Sequence, residues 1–386
     1  MKEPIRILQV LGRLDRGGAE TMLMNLYRCM DRSRIQFDFV IHTTDICDYT
    51  EEVKRLGGRI YSMKPFRAST AAGYRKQWKA FFREHREYRI VHGHMRSTAS
   101  LYLAEAKKAG CITIAHSHNT SSGSGVSAMV KNILQYPLRY QADYLFACSR
   151  LAGEWLFGKK ACGGRRFYLL LNGIAPESFA FDENMRRAKR AEMQTDESIP
   201  VFLHVGRLEE QKNHGFLIRI MKEIVKVEPT AVLWLCGTGP LEAEIRARAK
   251  EEGIASQVRF LGVRNDISEL MQAADAFLFP SLFEGLPVTV VEAQATGLPV
   301  VMSDAITREV ILTELVEAYP LTMLPKKWAE KALNAAGRKR VEESPVRKDC
   351  IDRSGYAEQI AKKGYDVRKN ADELSAFYQS LYEDNI

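Results

Sequence analysis

The sequence predicts an α/β protein that contains two doubly wound, Rossmann-like domains. Short apolar runs alternate with longer amphipathic stretches, which is typical of β-α units built on a parallel sheet. A polar, charged stretch at residues 176–199 interrupts this alternation, which restarts at Val201. A chain of 386 residues also has room for two domains of about 150 to 200 residues each.

These observations set the expected domain borders. We expect an N-terminal Rossmann-like domain over residues 1–175, a linker over 176–199 and a C-terminal Rossmann-like domain over 200–365, with a central cleft in which ligands of α/β folds usually bind. Residues 366–386 form a terminal helix with Leu374, Phe377, Tyr378 and Leu381 on one face. That face must dock on one of the domains, and a return to the N-terminal domain is one option.

The strands of the first half are short runs rich in β-branched and aromatic residues. They are Ile5–Val10, Phe37–Ile41, Arg59–Tyr61, Ile90–His92, Ile112–Ala115, Tyr144–Ala147 and Tyr168–Leu171. Helices are predicted between them, for example at Ala19–Met30 and Tyr74–Glu87, where apolar residues recur at helical spacing.

The second half repeats the pattern. Its predicted strands are Val201–Val205, Ala231–Cys236, Val258–Leu261, Ala276–Phe279 and Pro299–Met302, and a helix is expected from about Gly215 to Val227. Two such sheets in series give the two predicted domains.

Composition favours a soluble, cytoplasmic protein. Apolar residues make up 46% and charged residues 27%, as in ordinary globular proteins. The seven cysteines are scattered without a Cys-x-x-Cys pair, which argues against a disulfide framework or a zinc cluster. No apolar run is long enough to span a bilayer, and the N-terminus does not resemble a signal peptide.

Charge is distributed unevenly along the chain. Residues 1–176 carry 28 Lys or Arg against 14 Asp or Glu, whereas residues 177–386 carry 28 against 34. A basic first half suggests an anionic partner, such as lipid headgroups, a phosphorylated lipid or nucleic acid, although a basic surface can also serve solubility alone.

Three loops that follow predicted strands could hold phosphate or a nucleotide. Leu11–Glu20 is glycine-rich and opens a helix, but it matches neither the dinucleotide nor the Walker pattern. Val205–His214 carries Arg207 and Lys212, two cations that could converge on a diphosphate. Cys236–Pro240 is a tight turn of small residues that could admit a flat base. Taken singly, each loop could also be a plain turn.

The most informative feature is a pair of glutamates eight positions apart. Glu284 lies in the loop before a predicted helix, for which Pro287 is a suitable start, and Glu292 falls in the second turn of that helix. Carboxylates accept paired hydrogen bonds from sugar hydroxyls, and the helix N-terminus attracts phosphate. A single glutamate here could merely cap the helix.

Together these motifs resemble those of family four of the retaining GT-B glycosyltransferases, and within it the bacterial exopolysaccharide and capsule glycosyltransferases. The resemblance rests on five segments in the family's order, and it is strongest over residues 200–305. The segments are Gly17-Gly18-Ala19-Glu20, Leu171-Asn172-Gly173-Ile174, Val205-Gly206-Arg207-Leu208 with Gln211-Lys212-Asn213, Cys236-Gly237-Thr238-Gly239-Pro240, and Phe283-Glu284-Gly285-Leu286-Pro287 with Glu292-Ala293.

The resemblance implies that the C-terminal domain binds the donor and the N-terminal domain binds the acceptor. The donor is a nucleotide-diphosphate sugar, with UDP as the expected carrier, and no separate cofactor is expected. Arg207 and Lys212 would neutralise the diphosphate, Glu292 would hold the ribose, and Glu284 would contact the transferred sugar. The remaining donor contacts implied are Gly17, Gly18, Asn172, Gly237, Gly239, Val263, Arg264, Leu286 and Val288.

The family also places a histidine at the end of a first-domain strand, near the sugar. His116 and His118 are both candidates, and the sequence does not decide between them. His92 and His94 form a second pair one strand earlier. The resemblance further implies transfer of a hexose with retention of configuration, and the chain contains no Asp-x-Asp motif that would hold a metal ion on the diphosphate.

The acceptor is expected to be a glycan or a polyprenyl-diphosphate-linked sugar. Helix Tyr74–Glu87 combines Trp78, Phe81 and Phe82 with several cations, which suggests either peripheral contact with an anionic membrane or packing on the sheet. The alternative function is a non-catalytic nucleotide-sugar or glycan-binding protein. A nucleic-acid partner is not expected, since no known reading element is recognisable.

Overall fold

The computed structural model describes residues 3–121, 125–337 and 352–384. The chain forms two compact units, the first made of residues 1–173 and 364–386 and the second of residues 174–363. Both ends of the chain therefore belong to the first unit. Each strand that the sequence predicts is present, with bounds that differ by one or two residues.

The first unit contains a parallel sheet with the order β3-β2-β1-β4-β5-β6-β7 in its described residues. Because the chain moves outward from β1 in both directions, β1 and β4 form the topological switch point at the sheet centre. The strands are β1 Ile5–Val10, β2 Ile35–Ile41, β3 Ile60–Ser62, β4 Ile90–Gly93, β5 Ile112–Ser117, β6 Tyr144–Ala147 and β7 Phe167–Leu169.

Helices connect these strands as right-handed crossovers require. They are α1 Gly18–Cys29, α2 Thr50–Arg55, α3 Ala71–Glu84, α4 Arg96–Lys108, α5 Gly125–Gln135, α6 Leu138–Gln141, α7 Arg150–Phe157 and α8 Lys159–Cys162.

Helix α3 packs its aromatic face into the core. Trp78 is fully buried and its ring stacks on Tyr102 of α4 at a centroid distance of 5.1 Å. Phe81 and Phe82 are buried in the same cluster. The hypothesis that these aromatic side chains rest on a membrane is therefore wrong, because they fill the space between α3, α4 and the sheet.

The second unit repeats the doubly wound plan, with the strand order β10-β9-β8-β11-β12-β13 in its described residues. Its switch point lies between β8 and β11. The strands are β8 Val201–Val205, β9 Val232–Cys236, β10 Val258–Gly262, β11 Ala276–Phe279, β12 Val300–Ser303 and β13 Val316–Tyr319. The last is an edge strand that the sequence does not predict, because it is short and contains only one fully buried residue, Val316.

The helices of the second unit are α9 Glu183–Glu192, α10 His214–Val227, α11 Glu242–Glu251, α12 Ile267–Ala273, α13 Val288–Ala295, α14 Pro325–Ala335 and α15 Tyr356–Ile360. The segment 176–199, expected as a linker, contains α9. Arg186 of α9 is buried and donates to the Gln272, Ala273 and Ala274 carbonyls at 3.1–3.2 Å. These contacts make this segment part of the second unit.

Helix α16, Val367–Glu383, returns to the first unit and packs against α1. Gly173 allows the end of the first unit's main segment to pass close to the start of α16, since a Cβ at Gly173 would lie 2.8 Å from the Val367 Cα. Asn370 donates to the Leu171 carbonyl at 3.0 Å. No helix among the described residues has the length and apolarity needed to cross a membrane.

Candidate active site

Two loops that carry predicted site residues meet at the centre of the second unit's sheet. Strands β8 and β11 are neighbours, and a crevice opens at the carboxyl ends of such a switch-point pair. The loop after β8 contains Arg207 and Lys212, and the loop after β11 contains Glu284. Residues more than 70 positions apart therefore reach the same edge of one sheet.

Lys212 and Glu284 form an ion pair at this edge. The Lys212 Nζ lies 2.7 Å from the Glu284 Oε1, and the two side chains are only 17% and 10% exposed. The ammonium also lies 4.6 Å from the centre of the Phe279 ring, at the end of β11. Because both charges are largely removed from water, each depends on the other for compensation.

Hydrogen bonds join the two loops on either side of this pair. The Leu282 N–H donates to the Gln211 carbonyl at 2.8 Å, and the Gln211 side-chain amide donates to the Phe283 carbonyl at 2.9 Å. Asn213 adopts a left-handed conformation at the start of α10 and donates to the Pro280 carbonyl. The position of Lys212 relative to Glu284 is thus set by the backbone.

Arg207 does not join the pair. Its side chain is 59% exposed, and its guanidinium lies 3.4 Å from the Glu209 carboxylate. Gly206 precedes it, where a Cβ would lie 2.9 Å from the Lys212 Cε. The glycine therefore leaves space for the lysine side chain, while Arg207 extends into solvent.

The turn at Gly237 and Gly239 packs directly on the loop after β8. A Cβ at Gly237 would lie 2.1 Å from the Gly206 carbonyl oxygen, and one at Gly239 would lie 2.5 Å from the Leu208 carbonyl oxygen. Gly237 also has a φ of +130°, which disfavours any other residue. Glycine is required here because two backbone segments touch.

Arg264 is held by a neighbouring carboxylate. Its guanidinium donates to both oxygens of Asp266, at 2.8 and 2.5 Å, and this contact holds the pKa of Asp266 well below its usual range. Lys189 of α9 binds the same carboxylate at 2.8 Å. Val263, by contrast, is 53% exposed. Of these two implied donor contacts, Arg264 thus belongs to a salt-bridge network within the second unit, whereas Val263 is exposed.

Glu292 lies in the second turn of α13, as predicted, and is half-buried. Burial raises the pKa of its carboxyl group to about 7. Leu286 is buried just before the helix, and Val288 is its first residue, so the Val288 amide belongs to the group that a helix leaves without an intrahelical partner. These groups follow Glu284 directly along the chain, in the end of its loop and the first two turns of α13.

In the first unit, Gly17 and Gly18 lie between β1 and α1. Gly17 is the N-cap residue in an extended conformation, and Gly18 is the first helical residue with no atom near the position of a Cβ. Asn172 is buried immediately before the chain enters the second unit.

Four histidine rings stack at the switch point of the first sheet. His92 and His116 lie in β4 and β5, and His94 and His118 follow these strands. Neighbouring ring centroids are 3.9 to 5.2 Å apart. Burial lowers the pKa of all four imidazoles, that of His118 to about 3, so the cluster is neutral near pH 7.

His116 and His118 differ in access to solvent. His116 is 1% exposed, and neither of its ring nitrogens has a hydrogen-bond partner among the described residues. His118 is half-buried, and its Nε2 bonds the Nδ1 of His94 at 2.8 Å. Only His118 of these two therefore offers a ring nitrogen toward solvent.

Three of these imidazoles come near the spacing of metal ligands. His92, His94 and His116 each place one ring nitrogen within 4.8 Å of the others. However, both nitrogens of His94 are hydrogen-bonded, and the rings of His92 and His94 stack with an angle of 24°. Lone pairs in stacked rings run side by side, whereas metal binding requires them to converge.

Two residues that the site prediction omits belong to this cluster. Gln9 of β1 accepts from His94, and Tyr378 of α16 lies 2.6 Å from the His92 Nδ1. Gln9 is detectable in the sequence as a polar residue near the end of a mostly apolar central strand. Tyr378 stands on the apolar face of the terminal helix, but its partner is 286 positions away.

Comparisons with known proteins identify the family of the chain. Residues 16–178 match the family model described as Glycosyltransferase Family 4, and residues 185–354 match the one described as Glycosyl transferases group 1. EpsF of Bacillus subtilis (strain 168), which is named as a glycosyltransferase, is 35% identical over 97% of this chain and 96% of its own length. The chain belongs to glycosyltransferase family 4.

Two further proteins are similar to this family 4 glycosyltransferase. A UDP-Gal:alpha-D-GlcNAc-diphosphoundecaprenol alpha-1,3-galactosyltransferase of Escherichia coli is 29% identical over 56% of the chain and 58% of its own length. HepE of Anabaena, solved with UDP-glucose, superposes with a TM-score of 0.76 over 97% of this chain and 99% of HepE, at 18% identity. The two Rossmann-like units are those of the GT-B fold, as predicted.

Proposed function

We propose that this glycosyltransferase transfers a hexose from a UDP-linked donor, with retention of configuration and without a metal ion, to a polyprenyl-diphosphate-linked or glycan acceptor in exopolysaccharide or capsule synthesis. The observation that carries the proposal is the Lys212–Glu284 ion pair at the switch point of the second sheet. It combines a cation for a diphosphate with a carboxylate for sugar hydroxyls in one crevice.

The donor contacts follow from this geometry. Lys212 binds the diphosphate, and the mostly exposed Arg207 folds onto it from the same loop. The N-terminus of α13 adds backbone N–H groups, including that of Val288. Glu284 accepts hydrogen bonds from the transferred sugar, and Glu292 accepts them from the ribose. The packed glycine turn at Gly237 and Gly239 borders the base, together with Val263.

The chemistry required is departure of a nucleoside diphosphate. Negative charge develops on the leaving oxygen, and preorganised cations and amide groups stabilise it. Lys212 and Arg207 provide that charge, so no metal ion is assigned to the diphosphate. The acceptor attacks on the face that the leaving group occupies, which retains the configuration, and no side chain is assigned as a nucleophile.

His118 is the first-unit histidine that we assign to the sugar. Its side chain is half-buried and extends from the end of β5, whereas His116 is sealed inside the ring stack. Gly17 and Gly18 would bind the donor phosphates from this unit, and Asn172 is kept as a donor contact from the end of its last strand.

A donor screen followed by an assay tests the proposal. Because a ligand that binds only the native state raises its stability, thermal shifts with a panel of nucleotide sugars identify the donor. Glu284→Gln should then lower kcat/KM for donor hydrolysis or transfer by about 100-fold or more, on the scale of one preorganised contact. The exposed Glu244→Gln in α11 is the matched control. An unchanged rate in Glu284→Gln would remove Glu284 from the mechanism, whereas donor binding by the wild type without any hydrolysis or transfer would favour the non-catalytic binding protein.

Retention has its own test. The anomeric configuration of the new glycosidic linkage is read by proton NMR from the coupling constant of its anomeric proton. With an α-linked nucleotide sugar as donor, we expect an α-linked product. A β-linked product would contradict the retaining mechanism without affecting the assignment of the donor site.

We further propose that the enzyme reaches a lipid-linked acceptor by lying on an anionic bilayer through helix α5. Val126, Met129, Val130 and Ile133 repeat at i, i+3, i+4 and i+7, and Val126, Met129 and Ile133 are 80%, 65% and 64% exposed. Tyr136 and Tyr140 extend the same exposed apolar surface. Such a large contiguous patch is unusual on a protein without a partner.

Charge near α5 supports an anionic membrane as the proposed partner. From residue 106 to residue 142 the sequence has four cations, Lys107, Lys108, Lys131 and Arg139, and no acidic residue. An apolar helical face within a basic segment is typical of helices that lie at the surface of anionic bilayers.

Vesicle flotation tests this surface. We expect binding to vesicles that contain phosphatidylglycerol, weaker binding to pure phosphatidylcholine, and loss of binding in the double variant Met129→Ser/Ile133→Ser. Ile46→Ser, at a residue 83% exposed outside this surface, is the matched control. Equal flotation of the double variant and the wild type would overturn the assignment. A monomer-to-dimer change caused by the double variant would instead identify a second copy as the partner.

A further inference from the structure

A buried chain of hydrogen bonds runs from the terminal helix to His118. The Gln9 side-chain amide donates to the Tyr378 hydroxyl at 3.4 Å, and its Oε1 lies 2.9 Å from the His94 Nε2. The His94 Nδ1 in turn lies 2.8 Å from the His118 Nε2. Gln9 and Tyr378 are fully buried, and His94 is 9% exposed.

The order of donors and acceptors along this chain of hydrogen bonds follows from Gln9. A neutral imidazole has one N–H donor and one lone pair. The Gln9 Oε1 can only accept, so the His94 Nε2 donates to it and the His94 Nδ1 is left as an acceptor. The His118 Nε2 must then donate to that acceptor, which leaves a lone pair on the His118 Nδ1.

Tyr378 supports this orientation of the Gln9 amide. Its hydroxyl oxygen accepts from the Gln9 amide, so its single hydrogen is available for the His92 Nδ1, which lies 2.6 Å away. The His118 Nδ1, at the other end of the chain, has no hydrogen-bond partner within the described residues and is open to solvent.

We propose that Gln9 and Tyr378 are positioning residues that hold His118 in its Nε2–H tautomer, so that the open Nδ1 accepts a hydrogen bond from a hydroxyl group of a bound sugar. This inference rests on the proposed function. A lone pair at Nδ1 attracts hydroxyl donors and repels phosphate oxygens, so His118 selects the sugar rather than the diphosphate.

The cluster remains neutral because it is buried. The pKa of His94 is held well below 6.5, and that of His118 at about 3, so neither ring becomes a double donor near pH 7. The hydroxyl could belong to the donor sugar or to the acceptor. Both sources share the same chemistry, and the kinetic arms of the experiment separate them.

The direct test is nitrogen NMR on the full chain labelled with 15N-histidine. The His118 signals are assigned by their loss in His118→Asn. In the wild type we expect a protonated Nε2 and an unprotonated Nδ1 for His118. In Gln9→Met and Tyr378→Phe we expect a mixture of tautomers. Tyr168→Phe is the control, because Tyr168 lies in the same aromatic layer, stacked on Phe146, and takes no part in the chain.

Kinetics give the second readout. Gln9→Met and Tyr378→Phe should each lower kcat/KM about tenfold, as expected for one weakened hydrogen bond. If a variant loses affinity for the nucleotide sugar but keeps its affinity for UDP, the hydroxyl belongs to the donor sugar. If a variant instead changes the KM for the acceptor, the hydroxyl belongs to the acceptor. Tyr168→Phe should keep both.

The two failures are distinguishable. A protonated Nδ1 on His118 in the wild type, or an unchanged tautomer and unchanged kcat/KM in both variants, would overturn the positioning role while donor turnover continues. If the wild type neither binds nor turns over any nucleotide sugar, the proposed function is contradicted. The sugar hydroxyl is then also excluded as the partner of the His118 Nδ1.

Discussion

Lys212 and Glu284 form a largely buried ion pair, with 2.7 Å between Nζ and Oε1, although they lie 72 positions apart in the chain. They follow the two strands at the switch point of the second sheet, so their closeness is a consequence of the doubly wound topology. The pair is both a structural contact and the proposed contact with the donor, and these two roles predict different responses to mutation.

The ion pair allows stability and activity to be separated. Lys212→Met removes the cation that pairs with the Glu284 carboxylate and should reduce the free energy of unfolding by about 2 kcal/mol. The double variant Lys212→Met/Glu284→Gln should recover most of that stability but none of the activity, because the diphosphate still lacks its cation. Denaturant unfolding and donor turnover measure the two effects. Lys222→Met, which breaks the more exposed pair with Glu252, is the control and should have a smaller effect on stability, because water screens that pair. Recovery of turnover in the double variant would contradict the role of Lys212.

Glu292 predicts a pH dependence of donor binding. Its pKa is raised to about 7, so the carboxyl group is mostly protonated at pH 6 and ionised at pH 8. As the carboxylate is the better acceptor for ribose hydroxyls, we expect UDP to bind several-fold more tightly at pH 8 than at pH 6. Glu292→Gln should bind UDP weakly and with a flatter pH profile in isothermal titration.

The same group predicts a stability effect with a defined sign. A carboxyl whose folded pKa is raised binds more protons in the native state than in the unfolded state between about pH 4.5 and 7, so stability falls as pH rises through this window. Glu292→Gln should therefore stabilise the protein at pH 8 by about 2 kcal/mol and have little effect below pH 4.5. Equal effects at both pH values would contradict the assigned cause.

The glycine turn predicts a packing effect. Gly237→Ala introduces a Cβ that would lie 2.1 Å from the Gly206 carbonyl oxygen at a φ of +130°, so we expect a loss of about 3 kcal/mol in unfolding free energy. Gly253→Ala is the matched control, since Gly253 has a φ of +74° but open space around the new Cβ. It should cost about 1 kcal/mol, the backbone contribution alone. Equal losses would show that backbone conformation alone, without the contact, sets the cost.

The histidine cluster predicts sensitivity to acid. The pKa of each of its four imidazoles is lowered in the folded state, so these rings bind protons only after unfolding, and stability is lost as pH falls below about 6.5. His116→Leu removes one such group and should reduce the slope of stability against pH by about 1.4 kcal/mol per pH unit between pH 6 and 5. His85→Leu, outside the cluster, is the comparison variant. The measurement is denaturant unfolding across this range.

The sequence by itself determined the fold and the approximate position of the proposed donor site. Alternating apolar runs identify the strands of both sheets, because a strand buried on both faces must be continuously apolar. Parallel strands end at a common edge, so motifs that follow β8 and β11 could be assigned to one crevice from their order alone. Arg207, Lys212, Glu284 and Glu292 were accessible in this way.

Only the tertiary structure decided which residues distant in sequence contact the predicted elements and site residues. Arg264 is held by Asp266, and Lys189 binds the same carboxylate. Because Lys189 lies in the segment expected as a linker, this network makes that segment part of the second unit. Helix α3 buries its aromatic face, whereas α5 exposes an apolar one, although both have amphipathic sequences. The choice depends on which neighbouring element covers each face, and local periodicity contains no information about that neighbour.

The contacts within the histidine cluster also could not be predicted from the sequence. Strand-end histidines are visible in the sequence, but the preference for His118 over His116 depends on burial in the stack. The partners that orient His118 are Gln9, at the start of the chain, and Tyr378, 369 positions later. Hydrogen bonds over such separations arise only after the terminal helix has packed on the first sheet, so tertiary packing, and not local pattern, sets the chemistry of the exposed nitrogen.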